Sequence, residues 1–175
     1  MDMSKVKKLR EITLLGIMEC KQALLESQGD FDRALEILRK RGVAVTEEKK
    51  GRKTLQGLIE SYVHFSGNLG SLVEVNCETD FVAKNEVFKQ FVKDLAMHVA
   101  ATAPLYLSKE DIPQDKLSNI SNLEEFTREK CLLNQYFIKD SSKTIEDYLK
   151  QVIAQTGENI VIRRFVRFSL GEYES

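Results

Sequence analysis

The chain has 175 residues, 42% of them apolar and 30% charged, and its 26 basic and 27 acidic residues leave a formal net charge of −1. A chain of this length can bury one good hydrophobic core and a small second one. The near-zero charge excludes the strong global field typical of proteins that bind nucleic acid or membrane surfaces. Three distant cysteines, Cys20, Cys77 and Cys131, form no Cys-x-x-Cys pair, which predicts free thiols and neither a zinc site nor a disulfide framework.

The N-terminal segment leads from Met1 straight into an amphipathic helical pattern, without the apolar stretch of a signal peptide. No run of about eighteen apolar residues occurs, so that no membrane-spanning helix is predicted. We therefore expect the protein to work in the compartment where it is made, with no membrane as a partner.

Residues 1–45 contain three short helical patterns separated by glycine turns. The apolar positions that share a helical face are, in order, Val6, Leu9 and Ile12; Ile17, Cys20, Ala23 and Leu24; and Phe31, Ala34, Leu35 and Leu38. Gly29 ends the second pattern, and Asp30 can cap the third. The third pattern is predicted to end at Lys40-Arg41-Gly42, because cations and a glycine suit a helix C-terminus.

Residues 46–53 are mostly charged and lack large apolar side chains, which predicts a linker or an exposed helical extension. We therefore place a linker at 46–56, between a small helical domain at 1–45 and a larger domain at 57–175. Within this stretch, Gly51-Arg52-Lys53-Thr54 is only superficially like a phosphate-binding loop. The first glycine, the preceding strand and the Gly-Lys-Ser/Thr register are all missing.

A β-hairpin is predicted at the start of the larger domain. Leu58–Phe65 and Leu69–Cys77 are rich in β-branched and aromatic residues and flank the turn Ser66-Gly67-Asn68. In the second strand, alternate residues point to opposite faces, Leu72, Glu74 and Asn76 to one and Val73, Val75 and Cys77 to the other, and one of the two faces is expected to be buried.

The remaining elements alternate between helices, a loop and a final strand. Residues 85–102 have a helical period, whose apolar stripe is Val87, Phe88, Phe91, Val92, Leu95 and Val99. A polar loop at 107–122, with at most a helical turn, and a helix over Leu123–Leu133 follow. Thr144 and Asp147 have the spacing of a capping box, which opens a helix that ends at Gly157, and Asn159–Leu170 alternates as a strand. This order predicts the α+β class: a helical domain followed by a small antiparallel sheet packed with helices.

No pattern in the sequence indicates catalysis. The two histidines, His64 and His98, cannot form a three-ligand metal site and are more typical of half-buried structural residues. No nucleophile elbow, dinucleotide-binding fingerprint or paired-histidine helix occurs. We therefore expect no enzyme, no catalytic residue, no bound metal and no cofactor.

The basic end of the chain offers one alternative function. Residues Arg163, Arg164, Phe165, Arg167 and Phe168 combine positive charge with aromatic rings, as surfaces that bind single-stranded nucleic acid do. The surrounding domain carries more acidic than basic residues. We therefore favour a packed strand whose arginines meet carboxylates, and expect no direct contact with nucleic acid.

Three ordered segments carry a resemblance to a known family. The first is Val73 to Asn85, which reads Val-Glu-Val-Asn-Cys-Glu-Thr-Asp-Phe-Val-Ala-Lys-Asn. The others are Met18–Leu24 followed by Gly29-Asp30, and Arg163–Phe168 followed by Gly171-Glu172. Together they resemble the elongation factor Ts family, over nearly the whole chain and in its short form. The resemblance implies a ubiquitin-associated-like three-helix domain followed by an α+β core that contacts a GTPase.

The same resemblance implies a function and a site. The partner would be elongation factor Tu, bound with GDP or without nucleotide, and the Thr79, Asp80, Phe81 and Val82 turn would displace magnesium and so promote GDP release. From the residues alone, Phe81 lies between a strand and a helix, where it either points outward as an anchor or packs against the helix that follows. Asp80 is expected to cap the turn. Secondary partner contacts are expected from Met18, Lys21, Gln22, Arg164 and Arg167.

The sequence departs from the family pattern in three places. Leu14-Leu15-Gly16 replaces Thr-Gly-Ala, the stretch between Pro113 and Phe126 is short, and Asn134 and Tyr136 replace the expected glutamate and proline. With a small sheet left open, we expect that two copies can pair as a homodimer.

Two other classes remain open on the sequence. One is a ubiquitin-associated adaptor, which needs no Thr79–Val82 turn, and the other is the nucleic-acid binder described above. The resemblance places the protein in the cytoplasm of a bacterium or in the interior of an organelle that encodes its own factor.

Overall fold

The computed structural model describes residues 2–13 and 15–172, so that Met1, Leu14 and residues 173–175 lie outside the described residues. The helices are α1 (Met3–Thr13), α2 (Ile17–Glu26), α3 (Phe31–Lys49), α4 (Asp80–Ala83), α5 (Glu86–Thr102), α6 (Gln114–Leu117), α7 (Leu123–Lys130) and α8 (Ile145–Thr156). The strands are β1 (Gln56–Val63), β2 (Leu69–Cys77), β3 (Tyr136–Phe137), β4 (Asp140–Thr144) and β5 (Ile160–Ser169). The predicted α+β class is confirmed.

Helices α1 to α3 pack around a core of their own. Its buried residues are Val6, Leu9, Leu15, Cys20, Ala23, Leu24, Ala34 and Leu38. The prediction was wrong at Ile12 and Ile17, which are exposed. Helix α1 instead buries Thr13, whose hydroxyl donates to the Leu9 carbonyl at 2.8 Å.

Helix α3 is longer than the sequence predicted. It does not end at Lys40-Arg41-Gly42 but runs on to Lys49. The same C-terminal signals, two cations followed by a glycine, recur at Lys49, Lys50 and Gly51. Gly51 has a φ of +87°, a left-handed conformation that glycine adopts without strain. Residues 46–49 are therefore helical.

The main sheet is antiparallel, with the strand order β1-β2-β5. The predicted hairpin is confirmed, since β1 pairs with β2 along its length and the His64 N–H donates to the Leu69 carbonyl at 2.8 Å. One of the two faces is buried, as predicted. This face, which we call the inner face, carries Val73, Val75 and Cys77. The opposite, outer face carries Leu72, Glu74 and Asn76.

A β-bulge interrupts the pairing of β2 with β5. Val75 faces Ile162 and Glu74 faces Arg164, so that Arg163 is an extra residue without a partner on β2. The bulge reverses the alternation of the strand. Before it, Ile162 lies on the inner face; after it, Phe165 packs against the core.

Helix α5 lies across the inner face and forms the centre of the main core. The predicted stripe is buried except for Val87, in the exposed first turn. Helix α8 packs on α5 and begins at the predicted capping box, where the Thr144 hydroxyl accepts from the Asp147 N–H at 3.1 Å. It ends at Gly157, which has a φ of +72°.

The segment between α5 and α8 holds more secondary structure than the single helical turn that the sequence allowed in its polar loop. The polar loop contains a 3-10 turn at Lys109–Asp111 and the short helix α6. Helix α7 ends at Lys130 and not at Leu133, because Cys131 is extended and forms a bridge with Tyr106. Strands β3 and β4 form a second, two-stranded sheet. Within the described ranges, no helix is long and apolar enough to cross a membrane.

Candidate partner-binding site

The turn after β2 is a single helical turn with a defined cap. Thr79 is the N-cap of α4, and its hydroxyl accepts from the Val82 N–H at 3.4 Å. The prediction that Asp80 caps the turn was wrong, because the Asp80 carboxylate turns outward to the Lys84 ammonium at 2.7 Å. That hydrogen bond and the Lys84 charge lower the pKa of Asp80 below its ordinary value.

Phe81 is displayed to solvent by a turn whose next two side chains are buried. The Phe81 side chain is 81% exposed. The next two residues, Val82 and Ala83, are buried and belong to the main core. This arrangement excludes the alternative in which Phe81 packs under the following helix. The turn thus holds a large apolar ring in water while its own base is fixed.

A distant carboxylate holds the start of this turn. Glu158 lies between α8 and β5, and its Oε2 accepts from the N–H groups of Glu78 and Thr79 at 3.1 and 3.0 Å. Its Oε1 accepts from the Thr79 hydroxyl at 2.5 Å. In return, Glu78 Oε1 accepts from the Asn159 N–H at 2.6 Å. Two loops about eighty positions apart in the chain are therefore joined by hydrogen bonds, with a carboxylate of each loop accepting from the other.

The thiol beneath the turn is kept in its neutral form. Cys77 is buried, and its Sγ donates to the Thr79 carbonyl at 3.2 Å. Burial raises the pKa of Cys77 to about 11, and the neighbouring Glu158 carboxylate adds to the increase. All three cysteines are free thiols, as predicted, and all are buried. Cys77 is therefore a packing group of the turn.

The expected secondary contacts lie in separate parts of the molecule. Met18 is 69% exposed on α2 and Gln22 is exposed beside it, whereas Lys21 is half-buried. Arg164 lies on the outer face of the sheet and pairs with Glu74 at 2.6 Å. Arg167 donates to the Ala100 carbonyl at 2.9 Å and pairs with Glu172. The prediction that strand arginines meet carboxylates is thus confirmed for Arg164 and Arg167.

The two histidines lie in unlike surroundings. His98 is fully buried on α5, where its Nε2 donates to Gln135 Oε1 at 3.0 Å while Nδ1 accepts from the Ile138 N–H at 3.4 Å. Burial lowers the pKa of His98 below its ordinary value. His64 follows β1, and its ring lies tilted against that of Phe65. Among the residues that the structure describes, no cluster of three His, Cys, Asp or Glu could hold a metal ion.

Glu158 is the residue of the site that sequence reasoning missed. It is 79 positions from Thr79, and no local motif joins the two. The signal that could have found it is strand register. Once β5 is paired antiparallel with β2, Cys77 faces Ile160, and the residues just beyond that pair must meet at the same end of the sheet.

Fold and site together define a class: an α+β protein with an N-terminal three-helix module, which displays one aromatic side chain on a braced turn. A family model described as "Elongation factor TS" matches residues 14–124 and 119–172. Among curated relatives, the "Elongation factor Ts" of Caldanaerobacter subterraneus subsp. tengcongensis is 47% identical over 190 aligned positions, covering 95% of each chain. That of Geotalea uraniireducens is 46% identical, covering 97% of this chain and 89% of the relative. That of Thermotoga sp. strain RQ2 is 45% identical, covering 97% and 96%.

The chain belongs to the elongation factor Ts family. It is accordingly a translation elongation factor, and its work lies in protein biosynthesis.

Proposed function

We propose that the protein binds elongation factor Tu and promotes the release of GDP by inserting the Thr79–Val82 turn beside the partner's magnesium and phosphate site. The observation that carries this proposal is the exposed Phe81 ring on a turn whose next two residues, Val82 and Ala83, are buried. An exposed aromatic side chain on a rigid support is the kind of residue that dominates interface energies. Membership of the family supports the same partner.

The mechanism requires no acid, base or nucleophile, because it is a coupling between two binding sites on the partner. If this protein lowers the partner's affinity for GDP, then GDP lowers the partner's affinity for this protein by the same factor. The Phe81 ring must therefore bind better to the state in which the magnesium and phosphate contacts are broken. The binding free energy of the ring then shifts the partner toward that state.

Preorganisation of the turn makes this shift efficient. Val82 and Ala83 are already packed in the core, and Thr79 is already capped and hydrogen-bonded. Little conformational entropy is lost when the turn enters a partner. Most of the binding free energy of Phe81 can therefore act on the partner's nucleotide site.

We propose secondary contacts at two further places. Met18, Lys21 and Gln22 would contact the partner from α2, where Met18 and Gln22 are exposed. Arg164 and Arg167 would contribute from β5, although both already pair with carboxylates of this chain. We further propose that the protein is not an enzyme, needs no cofactor and does not bind nucleic acid directly. It would act in the cytoplasm of a bacterium or inside an organelle.

The test is the release of a fluorescent GDP analogue from elongation factor Tu of a matched source. The unaltered protein is expected to accelerate release many-fold. In Phe81→Ala, which lacks the proposed interface anchor, the acceleration should be at least about tenfold smaller. Phe65→Ala is the matched control, since Phe65 is also exposed but lies at the other end of β2. If the unaltered protein leaves the rate unchanged at saturation, the proposal is wrong and the adaptor function becomes the better one.

We also propose that two copies pair through the outer face of the sheet. This face carries five exposed apolar side chains, namely Ile59, Val63, Leu72, Val166 and Phe168. The Arg164–Glu74 ion pair lies among them, so that the face holds both charges and is complementary to itself. Two such faces can stack as sheets do in a sandwich. The Thr79 turn lies beyond one end of β2 and would stay free.

Light scattering over a range of concentrations tests this pairing. We expect a dimer that Phe168→Glu converts to monomer, while Leu105→Glu, at an exposed site after α5, leaves it intact. A mass that stays at the monomer value of 20.0 kDa at every concentration would contradict the homodimer without affecting the exchange proposal.

A further inference from the structure

We propose that Glu158 is the positioning residue for nucleotide release: it holds the Thr79–Val82 turn in the conformation that presents Phe81. This inference rests on the proposed function and names a residue that acts through the turn without touching the partner's nucleotide. It follows from the hydrogen bonds that join the loop at Glu158 to the loop at Thr79.

The Glu158 carboxylate is fully committed to the turn. A carboxylate can only accept hydrogen bonds, and both oxygens of Glu158 do so. Oε2 accepts from the N–H groups of Glu78 and Thr79, at 3.1 and 3.0 Å, and Oε1 accepts from the Thr79 hydroxyl at 2.5 Å. The two N–H groups precede α4 and have no strand partner, so Glu158 supplies the acceptor that they lack.

The bond to the Thr79 hydroxyl also sets the cap of α4. A hydroxyl has one proton and two lone pairs. Because the proton is given to Glu158, the lone pairs are free to accept from the Val82 N–H. Without Glu158, the hydroxyl can rotate and donate elsewhere, and the first turn of α4 loses its fixed start. Phe81 lies inside that turn.

A second set of bonds keeps the two loops from sliding past each other. Glu78 Oε1 accepts from the Asn159 N–H at 2.6 Å, and Asn159 Nδ2 donates to the Arg52 carbonyl at 2.9 Å. Gly157, with its φ of +72°, ends α8 and turns the chain so that Glu158 can reach the turn. Loss of Glu158 would leave this second set in place. Its effect is therefore expected to be local.

The decisive readout is a ratio of affinities. A loosened turn can still dock on the GDP-bound partner, but it must be ordered before it can displace the magnesium site. For Glu158→Ala we expect the preference for nucleotide-free over GDP-bound partner to fall at least tenfold, with less than threefold change in binding to the GDP-bound form. A loss of folded protein would lower both affinities together and leave the ratio unchanged.

Two control variants separate positioning from stability. Thr144→Ala removes the N-cap at the other end of α8 and is expected to keep the ratio. Glu158→Gln can still accept from both N–H groups with Oε1 and can donate to the Thr79 hydroxyl with Nε2, so it should restore most of the ratio. In a Phe81→Ala background, Glu158→Ala should cause no further loss, because both residues act through one ring.

Amide hydrogen exchange of residues 78–83 provides a readout that does not depend on the partner. Faster exchange in Glu158→Ala, but not in Thr144→Ala, would support the positioning role. A normal affinity ratio for Glu158→Ala in an otherwise active protein would overturn the inference and leave the proposed function standing. If the unaltered protein does not promote GDP release, the proposed function fails, and exchange at 78–83 then decides by itself whether Glu158 holds the turn.

Discussion

Two phenylalanines are exposed at opposite ends of β2, and the loops that carry them are supported differently. Phe65, in the hairpin loop before β2, is 94% exposed, and its ring lies tilted against the adjacent His64 ring at 4.3 Å between centroids. Phe81, in the turn after β2, is braced by Glu158 from the far end of the chain. A strand of nine residues separates the two loops by roughly 27 Å.

Exposure alone therefore does not distinguish an interface anchor. The hairpin loop is closed by bonds between near neighbours, such as the His64 carbonyl accepting from the Gly67 N–H at 2.8 Å, and it is joined to the end of β5 where the Asn68 carbonyl accepts from the Leu170 N–H at 2.9 Å. It lacks the buried side chains and the carboxylate that hold the Thr79 turn, and a loop with less of its chain in the core opens more easily. The Thr79 turn is part of the core on one side and of a distant loop on the other. The Thr79 turn is therefore held by more distant contacts than the hairpin loop.

The largest expected effect is the difference in the free energy of unfolding lost when a buried or an exposed phenylalanine is replaced by alanine. Phe91→Ala, in the centre of α5, should lower the free energy of unfolding by about 3–5 kcal/mol, because Phe91 is fully buried. The same substitution at Phe81 or Phe65 should change it by less than about 0.5 kcal/mol. Denaturant unfolding measures all three. A large loss for Phe81→Ala would mean that its ring supports the fold, and the contrast with Phe65 would then lose its basis.

The second prediction concerns the core that supports both loops. Burial lowers the pKa of His98, so below the unfolded pKa of about 6.5 the unfolded chain binds more protons than the folded one. Stability should therefore fall as the pH falls through about 6.5, by up to about 1.4 kcal/mol per pH unit, until the folded pKa is passed.

Urea unfolding between about pH 7.5 and 5.5 measures this slope. The slope should be largely lost in His98→Gln and retained in His64→Gln, which leaves His98 in place. Both loops should lose hydrogen-exchange protection together in acid, since both depend on the sheet and α5. Loss of protection in the Thr79 turn before the rest of the sheet would show that the hydrogen bonds that hold the turn open more easily than those of the sheet.

The smallest expected effect compares one hydroxyl in each loop. Thr79→Ala removes a cap and a bond to Glu158, which should cost about 1 kcal/mol of unfolding free energy. Ser66→Ala removes only a contact to Asn68 within the hairpin loop, and should stay within about 0.5 kcal/mol of the unaltered protein. Equal losses at the two sites would indicate that the loops are equally well supported.

Local patterns predicted most of the fold. The hairpin, the helix after Asn85 and the capping box at Thr144 each depend on residues close in sequence, so period and turn chemistry were sufficient. The predicted end of α3 was wrong because Gly42 follows two cations and so matches the pattern of a helix C-terminus. The same pattern recurs at Gly51, where the helix does end. Strands β3 and β4 are short and partly polar, and they gave no alternation to detect.

The candidate site was harder to predict from such local patterns. The Thr79–Val82 turn was found through family resemblance, since a phenylalanine between a strand and a helix can equally pack inward. Its exposure depends on how Val82 and Ala83 seat in a core built from distant elements. The brace at Glu158 depends on the register of β5, which includes a bulge that alternation alone does not reveal.

That bulge gives the last strand an unusual tolerance of one deletion. Arg163 is exposed and has no partner on β2, so most substitutions there should be harmless. Its deletion would make Ile162 and Arg164 neighbours in a regular strand, with Phe165 still on the inner face and Val166 still on the outer face. Deletion of Val166, beyond the bulge, would instead move Arg167 to the outer face and Phe168 to the inner face, so that a deletion scan of β5 would find Arg163 the more tolerant position.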